Sequence, residues 1–157
     1  MQKITPFLWF DGKAEEAMNF YTSIFKNSKI GSVTRYGEAG PGPKGTVMSG
    51  TFQLEGQDFY ALNGWPQFTF SPAISFFVDC KTQEEVDYLW EKLSSDPASE
   101  QCGWLKDKFG VSWQIIPSVL GELLGDKDAE KAQRVMQAML QMKKIDIQGL
   151  RQAYDQK

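Results

Sequence analysis

The sequence predicts an α+β protein made of two related strand–helix–strands modules followed by a helical tail. Three observations carry this. A strand running into an amphipathic helix occurs twice, as LWFDGKAEEAMNFY at 8–21 and FVDCKTQEEVDYLW at 77–90, and the two align with one gap. Each is followed by segments with strand character separated by turn residues. From Pro117 onward only helical spacing remains. A chance likeness of two strand–helix junctions is the alternative to duplication.

Residues 4–10, ITPFLWF, read as a strand, and Asp11-Gly12 turns the chain. Ala14, Ala17, Met18, Tyr21, Ile24 and Phe25 then recur at the spacing of a helix with one buried face, over 13–26. Strands are expected at 29–36, 46–54 and 58–62, with the loop GEAGPGPKG at 37–45 as the strongest break. In the second half, 73–78 reads as a strand. Thr82 and Glu85 have capping-box spacing, and Val86, Leu89, Trp90 and Leu93 mark a helical stripe. Residues 102–106 and 111–116 read as a hairpin. In the tail, Asp128 and Asp146 are expected helix caps. The whole is expected to be one domain over 1–157, with modules at 1–66 and 67–117 and an extension at 118–157.

Composition excludes several functions. The net charge of −3 and the lack of a basic stripe argue against nucleic acid as a partner. No run approaches the roughly 20 apolar residues of a membrane span, and the opening MQKITPFLWF is too short and mixed for a signal peptide. A cytoplasmic protein with reduced Cys80 and Cys102 is expected. The chain has no histidine. That removes the commonest general base and metal ligand, and with them Ser–His–Asp and Cys–His catalysis. Eleven Phe and five Trp suggest a bulky core, a lined cavity or a subunit interface.

Several blocks carry a family resemblance: FDG-x-AEEA-x-x-FY-x-x-x-F at 10–25, FQLEGQDFYALNG at 52–64, AISFFVDC at 73–80, CGWLKDKFGVSWQIIP at 102–117 and AMLQMKKIDIQGLRQAY at 138–154. They resemble PhnB-like proteins, often described as 3-demethylubiquinone-9 3-methyltransferase-like, of the vicinal oxygen chelate superfamily. That superfamily holds glyoxalase I, the extradiol dioxygenases and the bleomycin- and fosfomycin-resistance proteins. The resemblance implies paired βαβββ modules whose sheets enclose a cavity, in a homodimer. It also implies where metal ligands would stand, and this chain departs from the pattern there. Gln114 occupies the place of a ligand Glu, Ala73 that of a His, and Gln67 that of another His common in the subgroup; the first strand offers only Ile4, Thr5 and Pro6. No metal and no cofactor are therefore expected. Methyl transfer has no glycine-rich strand–helix loop to support it.

Polar or aromatic residues on strands facing the implied cavity are the candidate ligand-binding set: Arg35, Ser49, Asn63, Ser75, Trp104 and Gln114. Buried polar groups need partners, and a bound small molecule supplies them. The alternative is that they satisfy one another or face water. Asp79 and Asp107 read as turn and cap residues. The loop 37–45 reads as a surface connection or a lid, and the Met-rich 128–144 as core, dimer contact or an adaptable face. Three functions are open: a metal-free small-molecule binder, a metal-independent enzyme using Tyr36, Tyr60 or a carboxylate for proton transfer, and a sequestering resistance protein.

Overall fold

Proline has no N–H to give to a strand ladder. The first strand accordingly begins at Phe7 rather than Ile4, and Pro6 only accepts, from Tyr60 N at 2.9 Å. The computed structural model describes residues 2–156. The chain divides into two compact units, 1–69 and 70–157.

The first unit is β1 (Phe7–Asp11), α1 (Ala14–Ile24), β2 (Lys29–Arg35), β3 (Val47–Leu54) and β4 (Gln57–Gly64). The sheet order is β1-β4-β3-β2, with β1 parallel to β4 and the other pairs antiparallel. This is the expected βαβββ module. α1 buries Ala14, Ala17, Met18, Tyr21 and Ile24, the stripe read from the sequence. Tyr21 stacks on Phe52 at 6.2 Å, and Phe52 on Phe59 at 5.2 Å. Lys13 gives no side-chain cap. A fully buried large side chain contributes about 1.5–3 kcal/mol, against about 1 for a cap. The helix is therefore held mainly by its buried face.

The second unit opens the same way, with β5 (Ser75–Cys80) and α2 (Gln83–Leu93), then β6 (Trp104–Lys106) and β7 (Ser112–Pro117). Its order is β5-β7-β6, with β5 parallel to β7 as β1 is to β4. The repeat thus extends to topology, with three strands here in place of four. The polar stretch 94–101 forms a short 3-10 turn, Pro97–Ser99, and bonds locally, as in Ser99 N to Asp96 O at 3.0 Å. Thr82 Oγ1 accepts from Glu85 N at 3.2 Å. Glu85 reaches back to Lys81 N at 3.2 Å, one residue beyond the usual capping-box target.

Three helices follow: α3 (Ser118–Leu124), α4 (Ala129–Leu140) and α5 (Ile147–Asp155). Asp128 caps α4 and Asp146 caps α5, as expected. Ile116, Leu120, Leu123, Val135, Ile145 and Leu150 form their buried cluster, with Met139 and Met142 packed against it. Those two methionines are core; Met136 is exposed. The tail is fastened to its unit through backbone. Cys102 N and Gly103 N donate to Met142 O and Lys143 O, both at 2.8 Å. Gln83 bonds Ile145 O at 3.0 Å and Ile147 N at 2.8 Å. No helix among the described residues is long and apolar enough to cross a membrane.

Candidate functional site

Successive side chains of a strand point to opposite faces, so register decides which residues meet. In the second unit Leu105 pairs with Trp113, and Trp113 with Phe76. Leu105, Trp113, Ile115 and Cys80 are buried together with Val86, Leu89 and Leu93 of α2. The alternate residues form the other face. There Phe77 pairs with Gln114, and Gln114 with Trp104, giving one row across three strands. Gln114 Nε2 donates to Ser75 Oγ at 3.0 Å. Trp104, Gln114 and Ser75 are half-buried, and Phe77 is 60% exposed. Ser75, Trp104 and Gln114 are thus brought together. Phe77 was missed because AISFFV reads as an ordinary core strand, and only the register shows that it faces outward.

The other three expected residues lie in the first unit and do not share one place. Ser49 is on the face away from α1, in the row Trp9–Leu62–Ser49–Thr34. Asn63 points to the helix side. Its Oδ1 accepts from Ala14 N at 2.7 Å, and its Nδ2 donates to Val47 O at 2.8 Å. It supplies from a distant strand the cap that Lys13 does not give α1. Arg35 likewise bonds Glu15 of α1 at 2.9 Å and Gly45 O at 3.0 Å. Neither faces the open side as the sequence reading had them. Arg35 follows Thr34 directly, so alternation along β2 turns it from the face of Thr34 and Ser49 to that of α1. The open face of this unit carries aromatics instead. Phe7 lies 5.5 Å from Tyr60, and Trp9 meets Phe68 edge-on at 5.1 Å. Trp9 Nε1 donates to Trp65 O at 2.8 Å, and its ring lies where a Cβ on Gly64 would stand. Tyr36 Oη donates to Asn63 O at 3.3 Å, and its ring fills the space beside Gly40 and Gly42 of the loop 37–45.

Asp107 is 3% exposed and fixes the β6–β7 turn. Its Oδ1 accepts from Phe109 N at 2.8 Å and Val111 N at 3.1 Å, and its Oδ2 from Trp113 Nε1 at 2.9 Å. It is a turn residue as expected, and it also fixes the tryptophan behind the open face. At the end of β5, Lys81 Nζ bonds Asp79 at 2.8 Å and Ser118 Oγ at 3.1 Å, while Ser118 Oγ donates to Asp79 at 2.6 Å. The hydrogen bond from Lys81, then that from Ser118, lowers the Asp79 pKa; Asp79 in turn raises that of Lys81. A lysine held so firmly protonated is a poor base for Ser118, so the trio is a structural tie. The cysteines are free. Burial, with the Glu85 and Asp79 charges behind it, pushes the Cys80 thiol up to about 12.

The superfamily's divalent metal does not fit the groups present. Gln114 is a neutral amide whose nitrogen is bound to Ser75, and neither side chain is an anionic donor. Among the described residues no three His, Cys, Asp or Glu stand close enough to share an ion. A separate open hollow of about 470 Å³ lies along α5, lined by Gln83, Asp146 and Arg151 among others. Gln83 and Asp146 there are already bonded to backbone N–H groups.

The architecture is that of the glyoxalase-like, vicinal oxygen chelate proteins. Within that class the chain belongs to the 3-demethylubiquinone-9 3-methyltransferase family, whose model matches residues 2–116. A PhnB protein from Bacillus cereus carrying the same family description is 50% identical, over 74% of this chain and 100% of that one, with a TM-score of 0.66. Two more distant structures share the fold. Protein PA1353 from Pseudomonas aeruginosa is 18% identical over 74% of this chain and 98% of its own, at TM-score 0.59. The fosfomycin resistance protein FosX from Listeria monocytogenes is 11% identical over 78% and 97%, at 0.50. No curated protein matches the chain. The family model ends at residue 116, so the three tail helices lie outside it.

Proposed function

We propose that this protein binds a small organic molecule on the open face of its second sheet, without the superfamily's metal, as a cytoplasmic homodimer. The observation that carries the reading is Gln114, set between Phe77 and Trp104 and hydrogen-bonded to Ser75 in the neighbouring row. Apolar walls around a few placed polar groups are the common composition of a small-molecule site. Gln114 in the place of a ligand carboxylate supports recognition by hydrogen bonding over Lewis-acid chemistry.

Methyl transfer is not part of the proposal. The family description names it, but the strand–helix turns at Asp11–Lys13 and Asp79–Lys81 have no glycine-rich loop to take a nucleotide-like cofactor. Fold-level labels carry little about activity.

The test is a thermal-shift screen of metabolites on the purified protein, with metal analysis and light scattering alongside. The expected result is stabilisation by a compound whose effect is lost in Gln114→Ala with the fold retained. Stoichiometric zinc, nickel, manganese or iron would overturn the metal-free reading, and tight S-adenosylmethionine binding would restore methyl transfer. Turnover of a bound compound, abolished by the same substitution, would make the protein an enzyme.

A further inference from the structure

We infer that the ligand of this face is a flat apolar body bearing an oxyanion, a carboxylate or phosphate, and that Lys106 holds its charge. The inference rests on the binding reading above and adds to it the ligand's chemistry.

Lys106 is two residues from Trp104 on β6, so both belong to the open face. Register pairs Lys106 with Ser112, and Ser112 with Ser75. A second row, Ser75–Ser112–Lys106, therefore runs beside Phe77–Gln114–Trp104, about 7 Å away along the strands. One row is aromatic at both ends with an amide at its centre. The other ends in a lysine, with Ser75 half-buried at its far end and Ser112 buried between them.

Lys106 is half-buried as a residue, and its ammonium has no ion pair or hydrogen bond among the described residues. The carboxylates around it are committed elsewhere. Asp107, next in the chain, binds Phe109, Val111 and Trp113. Glu100 accepts from Ser94 Oγ at 2.7 Å. Asp79 shares the open face, but at the far end of β5, where Lys81 and Ser118 occupy it. Lys81 and Lys144, by contrast, each have an aspartate at 2.8 Å. A cation with no counter-ion, standing beside aromatic rings, favours an anionic guest. Phe77 and Trp104 sit two strand spacings apart, about 10 Å, which suits one or two fused rings lying across Gln114.

The test is calorimetric titration of the full chain with 2-naphthoate and phenyl phosphate, and with 2-naphthamide as the uncharged counterpart. Naphthoate is expected to bind about tenfold or more tighter than the amide, and less tightly as salt is raised. Lys106→Met should abolish that preference while the amide's affinity stays, and Lys106→Arg should keep it. Circular dichroism confirms that each variant folds. Equal binding of acid and amide, or a preference that survives Lys106→Met, overturns the role of Lys106 and leaves the binding face standing. If none of the three compounds binds, the binding reading falls and this inference falls with it.

Discussion

Replacing Asp107 by Asn changes one oxygen for an NH2 group and should cost the second unit about 3 kcal/mol. The magnitude follows from the three bonds the carboxylate accepts. Oδ1 can keep Phe109 N and Val111 N, since an amide oxygen serves them as well in geometry. Oδ2 cannot be replaced, because the new N–H group would confront Trp113 Nε1–H, now 2.9 Å away. A charge-assisted bond of roughly 1.5–3 kcal/mol is lost, and a buried donor loses its acceptor at roughly 1–3 more, partly offset by rearrangement. Urea unfolding followed by tryptophan fluorescence measures the loss. A double-mutant cycle isolates its cause. Trp113→Phe removes the indole N–H, so Asp107→Asn on that background should cost at least about 1 kcal/mol less than on the natural chain. A loss below about 1 kcal/mol for Asp107→Asn, or strict additivity with Trp113→Phe, would refute the role given to this bond.

Other expectations follow from the tail and the buried thiol. Gly103 has φ +86, and an added Cβ would lie 2.5 Å from Ile116 Cδ1, so Gly103→Ala should lower stability by about 2–4 kcal/mol in thermal or urea unfolding. Gly121→Ala in α3, where nothing lies within 4 Å, should raise it by about 0.5–1 kcal/mol. Below about pH 4 the tail should loosen before the sheets, as read by hydrogen exchange. Asp79, bonded to Lys81 and Ser118, Asp87, bonded to Lys144 and Gln83, and Asp126, bonded to Asp128 N and Tyr154, all have lowered pKa values. Such groups stabilise the fold above their unfolded pKa and lose that effect as pH falls through the folded one. Uniform exchange across the chain at pH 3 would contradict this. Cys80, with its pKa near 12, should resist thiol reagents until unfolding, while half-exposed Cys102 reacts in the native state.

The helices were legible because their periodicity and caps are local. Tyr21, Ile24, Val86 and Leu93 could be placed by counting, and Thr82, Asp128 and Asp146 by their side-chain chemistry. The site was legible only in part, because it depends on register. Gln114 and Ser75 lie 39 residues apart and meet through a parallel pairing that no neighbour in the chain announces. The place of Asn63 was hidden for the same reason. A polar residue on a strand looks alike whether it faces a ligand or caps a helix 49 positions away. Phe77 and Lys106 were passed over because strand alternation had not been anchored to a known inward residue. Once Trp113 and Leu105 are fixed as core, the positions of Trp104, Lys106, Phe77 and Gln114 follow by counting in twos.

The two modules show how one opening motif serves different ends. In the first, Lys13 follows Asp11 by two residues and pairs loosely with Glu16 at 3.7 Å, and the helix is capped from β4 by Asn63. In the second, Lys81 follows Asp79 by two and both bind Ser118, the first residue of α3. The equivalent corner has become the anchor of the tail. Among its described residues the same unit has three strands, and the turn at Cys102–Gly103 gives its two N–H groups to Met142 and Lys143 of that tail. Ile116, two residues beyond Gln114 on β7 and so on the same face, is buried in the tail's cluster. The added helices therefore close one end of the open face, beyond Gln114. The uncovered part is the part that holds Phe77, Trp104 and Lys106. A ligand seated there as proposed would cover the exposed ring of Phe77, apolar area otherwise left to water.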